Sequence, residues 1–205
     1  MARKTKVEAE ATREQILDAA EHMFYLHGVS RTTLEKIACA AGLTRGAIYW
    51  HFDNKSALFG AMLERIRLPF QQMLSELDAQ PQGDPLAQLR DHLVQSLLMI
   101  AHSERYHRVL SIVFHRCEYM DELNPAVSKQ EELDRAATAV ISRTLQRARV
   151  AGMLQDGIDP DLTAGAIHAY IGGLIRKHLL QPAFCDLTHA AAYIDVMLQG
   201  IKKPA

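Results

Sequence analysis

Apolar residues in this chain recur at three- and four-residue spacing along most of its length, and long alternating β-branched runs are absent. That period places one apolar stripe on each of a series of helices and leaves nothing to build a sheet from, so the expected fold class is all-α. Caps and breakers divide the series into about nine helices. The first, Glu10 to His27, turns Ile16, Leu17, Ala20, Met23 and Phe24 inward and stops at Gly28, which suits a left-handed C-cap. Thr32 and Glu35 have capping-box spacing for a short second helix ending near Ala41–Gly42. A third opens at Thr44. Asn54 caps a fourth that runs to about Ala79, with Pro69 inside it. Proline lacks the N–H that would bond the Arg65 carbonyl, which predicts a kink there. After the loop at residues 80–85, Asp84 caps a fifth helix with Pro85 at its first position. Ser103 begins a sixth, through Cys117, and Asn124-Pro125 a long seventh ending at Gly152. Asp159-Pro160 begins an eighth, through Leu180, and Asp186 or Thr188 a ninth, to Ile201.

A chain of 205 residues, 48% hydrophobic and 23% charged, buries a sizeable core and is too apolar for disorder. Its formal net charge of −1 carries no preference for nucleic acid, so a basic surface must be local. Arg3, Lys4 and Lys6 ahead of the first helix supply one, in the manner of a DNA-contacting arm, although many proteins begin with a few basic residues. Cys39, Cys117 and Cys185 are odd in number and lack C-x-x-C spacing, which argues against a disulfide framework and for a reducing compartment. No signal-like apolar region follows Met1 and no apolar run reaches membrane-spanning length, so the expectation is a cytoplasmic protein with no membrane partner.

Residues 33–52, TLEKIACAAGLTRGAIYWHF, carry the strongest functional signal. Two short helices crossing steeply need a small residue where they touch, supplied by Ala38, and a residue tolerant of positive φ in the turn, supplied by Gly42. Ile37, Leu43 and Ile48 can lock the second helix onto the first. This A-x3-G-x5-I spacing is that of a helix-turn-helix, and an ordinary helical hairpin in a bundle shares it. The helix after Thr44 is short and aromatic. Ile48 and Phe52, four apart, face inward, which leaves Arg45, Gly46 and Tyr49 outward with Trp50 and His51 toward the edge. Arg45 can donate two bonds to guanine O6 and N7, and Gly46 lets backbone approach DNA closely. Thr44, Tyr49, His51, Lys55 and Thr33 have phosphate-contact chemistry. Tyr49 and Trp50 are open to a second reading, as core aromatics.

The first 60 or so residues resemble the N-terminal domain of TetR-family transcriptional repressors. The opening MARKTK and the blocks TRGAIYWHF-x-NK and FHRCE (114–118) are similar to the AcrR/TtgR-like branch, whose members control multidrug efflux pump operons. The resemblance is weaker over the remaining length, where CDL near residue 185 adds to it. It implies a DNA-binding domain over 1–54 and a ligand-binding and dimerisation domain over 55–205. It puts Thr33, Thr44, Arg45, Gly46, Tyr49, Trp50, His51 and Lys55 at DNA-contact positions.

One recognition helix binds weakly, and helix-turn-helix proteins present two about one DNA turn apart by dimerising. The eighth helix (Ala164, Ala166, Ala169, Gly172, Gly173) and the ninth (Ala190, Tyr193, Ile194, Met197, Ile201) are the expected homodimer surface, with packing into the protomer's own core as the other reading. Apolar faces on the fourth to eighth helices, Ile66; Leu89, Leu93; Leu110, Val113, Phe114; Ala137, Ile141; Ile167, Ile171, Ile175, with His92, Ser96 and His168 beside them, describe a drug-binding cavity and equally a packed core. The resemblance favours a cavity for hydrophobic or amphipathic inducers. Two further classes are weaker. A metal- or redox-sensing regulator is suggested by ten histidines and three cysteines, but no pair has ligand spacing on one helix face. For an enzyme, nucleophile and phosphate-loop motifs are missing, and His115 and Cys117 point about 200° apart on a helix. No cofactor and no metal site are expected.

Overall fold

The computed structural model describes residues 6–79, 82–115 and 124–204. Arg3, Lys4 and Cys117 lie outside the described residues. Within them the regular elements are helical: α1 Lys6–His27, α2 Leu34–Ala40, α3 Arg45–His51, α4 Lys55–Asp78, α5 Pro85–Ala101, α6 Glu104–His115, α7 Asn124–Val150, α8 Pro160–Leu180 and α9 Ala190–Gln199. A 3-10 turn, Leu187–His189, precedes α9, and Leu154 forms an isolated antiparallel bridge with Lys202. No helix among the described residues is long and apolar enough to cross a membrane.

Most boundaries follow the caps. The Thr44, Asn54, Asp84 and Asp159 side chains each accept from backbone N–H groups of the helix they open, and Gly28, Gly42 and Gly152 have φ of 82°, 67° and 71°. Two expectations are corrected. α1 begins at Lys6 rather than Glu10, since nothing between these residues breaks a helix and Thr12 bonds back to the Glu8 carbonyl at 2.8 Å. The cap of α2 is Thr33, which accepts from Lys36 N; the Thr32 hydroxyl is buried and donates to the Gly28 carbonyl at 2.8 Å, where it finishes α1 instead.

The chain forms two compact units, one of residues up to Arg67 with Arg108–Lys129, the other of Leu68–His107 and the residues from Gln130 on. The crossing inside α4 lies 13 residues beyond the expected boundary at 54/55. The reason is that the first turns of α4 complete the core of the first unit. Leu58, Phe59, Met62 and Leu63 are buried, and the Phe59 ring meets Phe24 edge-on at 6.0 Å. Glu14, Asp18 and Glu21 occupy one face of α1, and all three bind Arg65 of α4: Nη1 to Glu21 at 2.5 Å, Nη2 to Glu14 at 2.6 Å and to Asp18 at 2.7 Å. Arg108 Nε stands 3.8 Å from the other Glu21 oxygen.

In the second unit α5 packs on α9, with Leu89, Leu93 and Leu97 buried on one side and Ala190, Ile194 and Leu198 on the other. Arg90 grips Asp195 through Nε (2.5 Å) and Nη2 (3.0 Å), and the Tyr170 hydroxyl donates to the Tyr193 carbonyl at 3.1 Å. Arg143 forms the same fork on Asp78. His178 is buried with Nδ1 3.0 Å from the Cys185 carbonyl, which fixes the proton on that nitrogen when the ring is neutral.

Candidate nucleic-acid interface

The turn between α2 and α3 is a Schellman motif: Leu43 N–H donates to the Ala38 carbonyl (2.8 Å) and Gly42 N–H to that of Cys39 (3.0 Å). A Cβ on Gly42 would meet nothing within 4 Å, so its positive φ, not space, requires glycine. Beneath the turn Ile37, Ala38, Ile48 and Phe52 are buried and Leu43 is half-buried, while Gln15 of α1 donates to the Ala41 carbonyl at 2.7 Å. These contacts hold a seven-residue helix that is far too short to be stable alone.

That helix turns its other face outward. Trp50 is 70% exposed and Tyr49 40%, so neither is a core aromatic. Thr33, Thr44, Arg45 and Gly46 are exposed, and His51 is half-buried against the Trp50 ring at 4.5 Å. A Cβ at Gly46 would meet only the Thr44 hydroxyl, at 4.0 Å, so the protein's own packing does not demand glycine there. Lys6 is exposed at the start of α1. Lys55, expected as a phosphate contact, is half-buried and its ammonium donates to the Val29 carbonyl at 3.1 Å. Sequence reasoning treated Glu35 as a capping residue only. Its carboxylate lies 3.3 Å from Arg45 Nε and accepts from the Tyr49 hydroxyl at 3.2 Å, a pairing with no local signal because the partners are ten and fourteen positions away.

The residues named for a ligand cavity differ in burial. Ile66, Leu89, Leu93, Ile141 and Ile167 are buried. Ser96 is buried too, its hydroxyl given to the His92 carbonyl at 2.9 Å. His92, Leu110, Val113, Ala137, His168, Ile171 and Ile175 are half-buried, and Phe114 is exposed. Ile66, Leu110, Val113 and Phe114 belong to the first unit and the others to the second. A groove of about 600 Å³ in the second unit runs along α7, with Asp134, Thr138, Ser142, Arg143 and Asp161 in its wall. The surface expected for dimerisation also divides: Ala164, Ala190 and Ile194 are buried within the protomer, whereas Ala166, Ala169 and Gly173 are exposed beside Leu162, Leu180 and, on α9, Val196. Among the described residues no three His, Cys, Asp or Glu side chains come together to hold a metal ion.

A capped pair of short helices, a glycine turn and an outward second helix define a helix-turn-helix regulator. Comparison with known proteins agrees. Residues 16–62 match the N-terminal family model of bacterial regulatory proteins of the tetR family, and residues 84–202 match that of the MAATS-type transcriptional repressor C-terminal region. The chain belongs to the TetR family of transcriptional regulators. It is 38% identical over 187 residues to the HTH-type transcriptional regulator TtgR of Pseudomonas putida, covering 91% of this chain and 89% of that one. Among solved structures it is similar to NalD, the secondary repressor of the MexAB-OprM multidrug efflux pump in Pseudomonas aeruginosa (TM-score 0.88, 35% identity, 98% and 100% of the two chains). It is also similar to SmeT of Stenotrophomonas maltophilia in complex with triclosan (TM-score 0.83, 37% identity, 95% and 93%).

Proposed function

We propose that this protein is a dimeric repressor that leaves a palindromic operator when a hydrophobic or amphipathic small molecule binds it, and that it controls a multidrug efflux pump operon. The observation that carries the reading is the outward face of α3, where Arg45, Gly46, Tyr49 and Trp50 stand exposed on a helix locked by Ile48 and Phe52. Arg45 reads guanine through a bidentate pair, for about 1–3 kcal/mol of discrimination. Thr33, Thr44, Tyr49, Trp50 and His51, with Arg3, Lys4 and Lys6 from the start of the chain, serve as contacts to phosphate and sugar. Lys55 joins them by releasing the Val29 carbonyl. Operon and inducer class are inferred from NalD, an efflux pump repressor, and from SmeT with triclosan bound.

Dimerisation through α8 and α9 sets two recognition helices about 34–36 Å apart. The exposed small and apolar residues on α8 and Val196 on α9 support that surface. Inducer held in the second unit biases α4, and the shift is absorbed at Pro69, where the helical ladder lacks a bond. Selection of bound duplexes from a random pool tests the reading. A palindrome with half-sites one turn apart, released by triclosan or another hydrophobic compound, is the expected result. No preference for any duplex at moderate salt refutes it.

A further inference from the structure

Glu35 faces α3 from the first turn of α2, and one of its oxygens takes both outward polar side chains of that helix. Oε1 lies 3.3 Å from Arg45 Nε and accepts from the Tyr49 hydroxyl at 3.2 Å. The Arg45 guanidinium in turn lies 5.5 Å from the centre of the Tyr49 ring. Three side chains from two helices therefore form a closed triangle on the exposed face. The pairing uses Nε and leaves the two terminal nitrogens, the end-on fork that guanine O6 and N7 accept. The carboxylate stays ionised: its own backbone N–H and then the Thr33 hydroxyl hold it below the usual range, with smaller help from Tyr49 and Arg45 against the effect of burial.

We propose that Glu35 is a positioning residue for base recognition, holding Arg45 in the end-on orientation and keeping it off neighbouring phosphates. An unrestrained arginine samples many rotamers, and in the field of a duplex the nearest partners for most of them are phosphate oxygens. A carboxylate on Nε removes those rotamers and adds a negative charge that phosphates repel. Its effect is then on discrimination rather than on affinity. This inference rests on the reading of α3 as the DNA-reading helix.

The test uses the full chain, wild type with R45A, E35A and E35Q, and the duplex recovered by selection. Each protein is titrated at several salt concentrations against that duplex, against one substituted at the base pair where R45A loses its preference, and against unrelated DNA. E35A is expected to lose about two- to fivefold of the preference for the correct base, the scale of an exposed ion pair. Its binding to unrelated DNA should strengthen, with a log–log salt slope steeper by about one as freed Arg45 reaches phosphate. E35Q keeps an acceptor for both donors and should fall between E35A and wild type, and E35A should add nothing in the R45A background. Equal weakening on all three duplexes means that Glu35 merely holds α2 to α3, and it overturns the proposal, as does an E35A protein with wild-type discrimination. A wild-type protein that selects no duplex overturns the DNA-reading function itself; wild type and R45A behaving as expected with E35A silent removes this inference alone.

Discussion

Replacing Arg65 with methionine isolates the cost of leaving one carboxylate buried without its guanidinium. Arg65 is 10% exposed and binds three acids of α1, of which Glu14 and Asp18 are 42% and 60% exposed and Glu21 only 2%. The two exposed carboxylates rehydrate when the guanidinium leaves, so their pairs contribute about 0–1 kcal/mol each. Glu21 is too buried to rehydrate, and its ion pair with Arg108, at 3.8 Å and one-third exposed, is longer and weaker than the 2.5 Å contact it loses. Breaking a buried pair from one side costs about 3–5 kcal/mol. Protonation sets a ceiling, since neutralising a carboxylate of ordinary pKa near 4.3 at pH 7.5 costs about 4 kcal/mol. The expected loss at pH 7.5 is about 3–4 kcal/mol.

The ceiling carries a pH signature. In R65M the folded-state pKa of Glu21 is raised above its unfolded value, so the penalty is absent below about pH 4.3 and grows as pH rises. At pH 5.5 the Glu21 contribution cannot exceed about 2 kcal/mol. Urea unfolding followed by far-UV circular dichroism at both pH values, at one protomer concentration because association shifts apparent stability, measures this. E21Q combined with R65M should recover at least half of the loss and most of its pH dependence. A deficit below about 1 kcal/mol at pH 7.5, or one that does not shrink on acidification, refutes the reasoning.

Lys55→Ala should cost about 0.5–1.5 kcal/mol through the Val29 carbonyl and also flatten the salt dependence of operator binding by about one unit, read by urea melts and by titration at several salt concentrations. Burial holds His92 and His107 below the ordinary imidazole value, with His178 beside His107 adding to the effect. The unfolded chain therefore takes up protons first, and stability falls as pH drops through about 6.5; thermal melts from pH 7.5 to 5.5 should show the fall and His92→Gln should reduce it. The depressed carboxyls of Asp78 and Asp195, paired with arginines, act only near pH 4 and below, outside that window. Ala169→Glu with Val196→Glu, both exposed in the protomer, should yield a folded monomer by sedimentation with operator affinity reduced about 100-fold or more.

What the sequence made legible is whatever depends on neighbours in the chain. Asp84 before Pro85, Asn54 before Lys55 and Gly42 after α2 each act within one helical turn, and each appears where its chemistry puts it. Adjacent candidates defeat the same logic: Thr32 and Thr33 are both competent caps, and only the Gly28 carbonyl, reached in three dimensions, takes Thr32 away. The Arg65 cluster joins residues 44 to 51 positions apart, so no window of sequence contains it. Apolar faces are ambiguous for a related reason. Leu89 and Leu93, buried on the helix that packs on α9, look the same in sequence whether they line a cavity or fill a core. Trp50 was equally undecidable until the depth of Ile48 and Phe52 placed it on the outer side.

Pro69 brings sequence, packing and regulation to one point. It cannot donate to the Arg65 carbonyl, so the ladder of α4 lacks a bond at the residue whose side chain anchors that helix to α1. The passage from one compact unit to the other falls between Arg67 and Leu68, beside the missing bond. An interior proline costs about 3 kcal/mol relative to alanine in a regular helix. α4 has already accommodated it, and alanine gives up a restriction of the unfolded chain worth about 0.4–1 kcal/mol. Pro69→Ala is therefore expected to stabilise the protein by about 1–2 kcal/mol in urea melts. If the gap is where α4 yields, the variant binds operator as tightly as wild type and responds less to inducer, with a coupling of about 1–3 kcal/mol reduced by half or more. A variant that is stabilised yet released by inducer as readily as wild type places the compliance elsewhere, because restoring the bond stiffens α4 only at that turn.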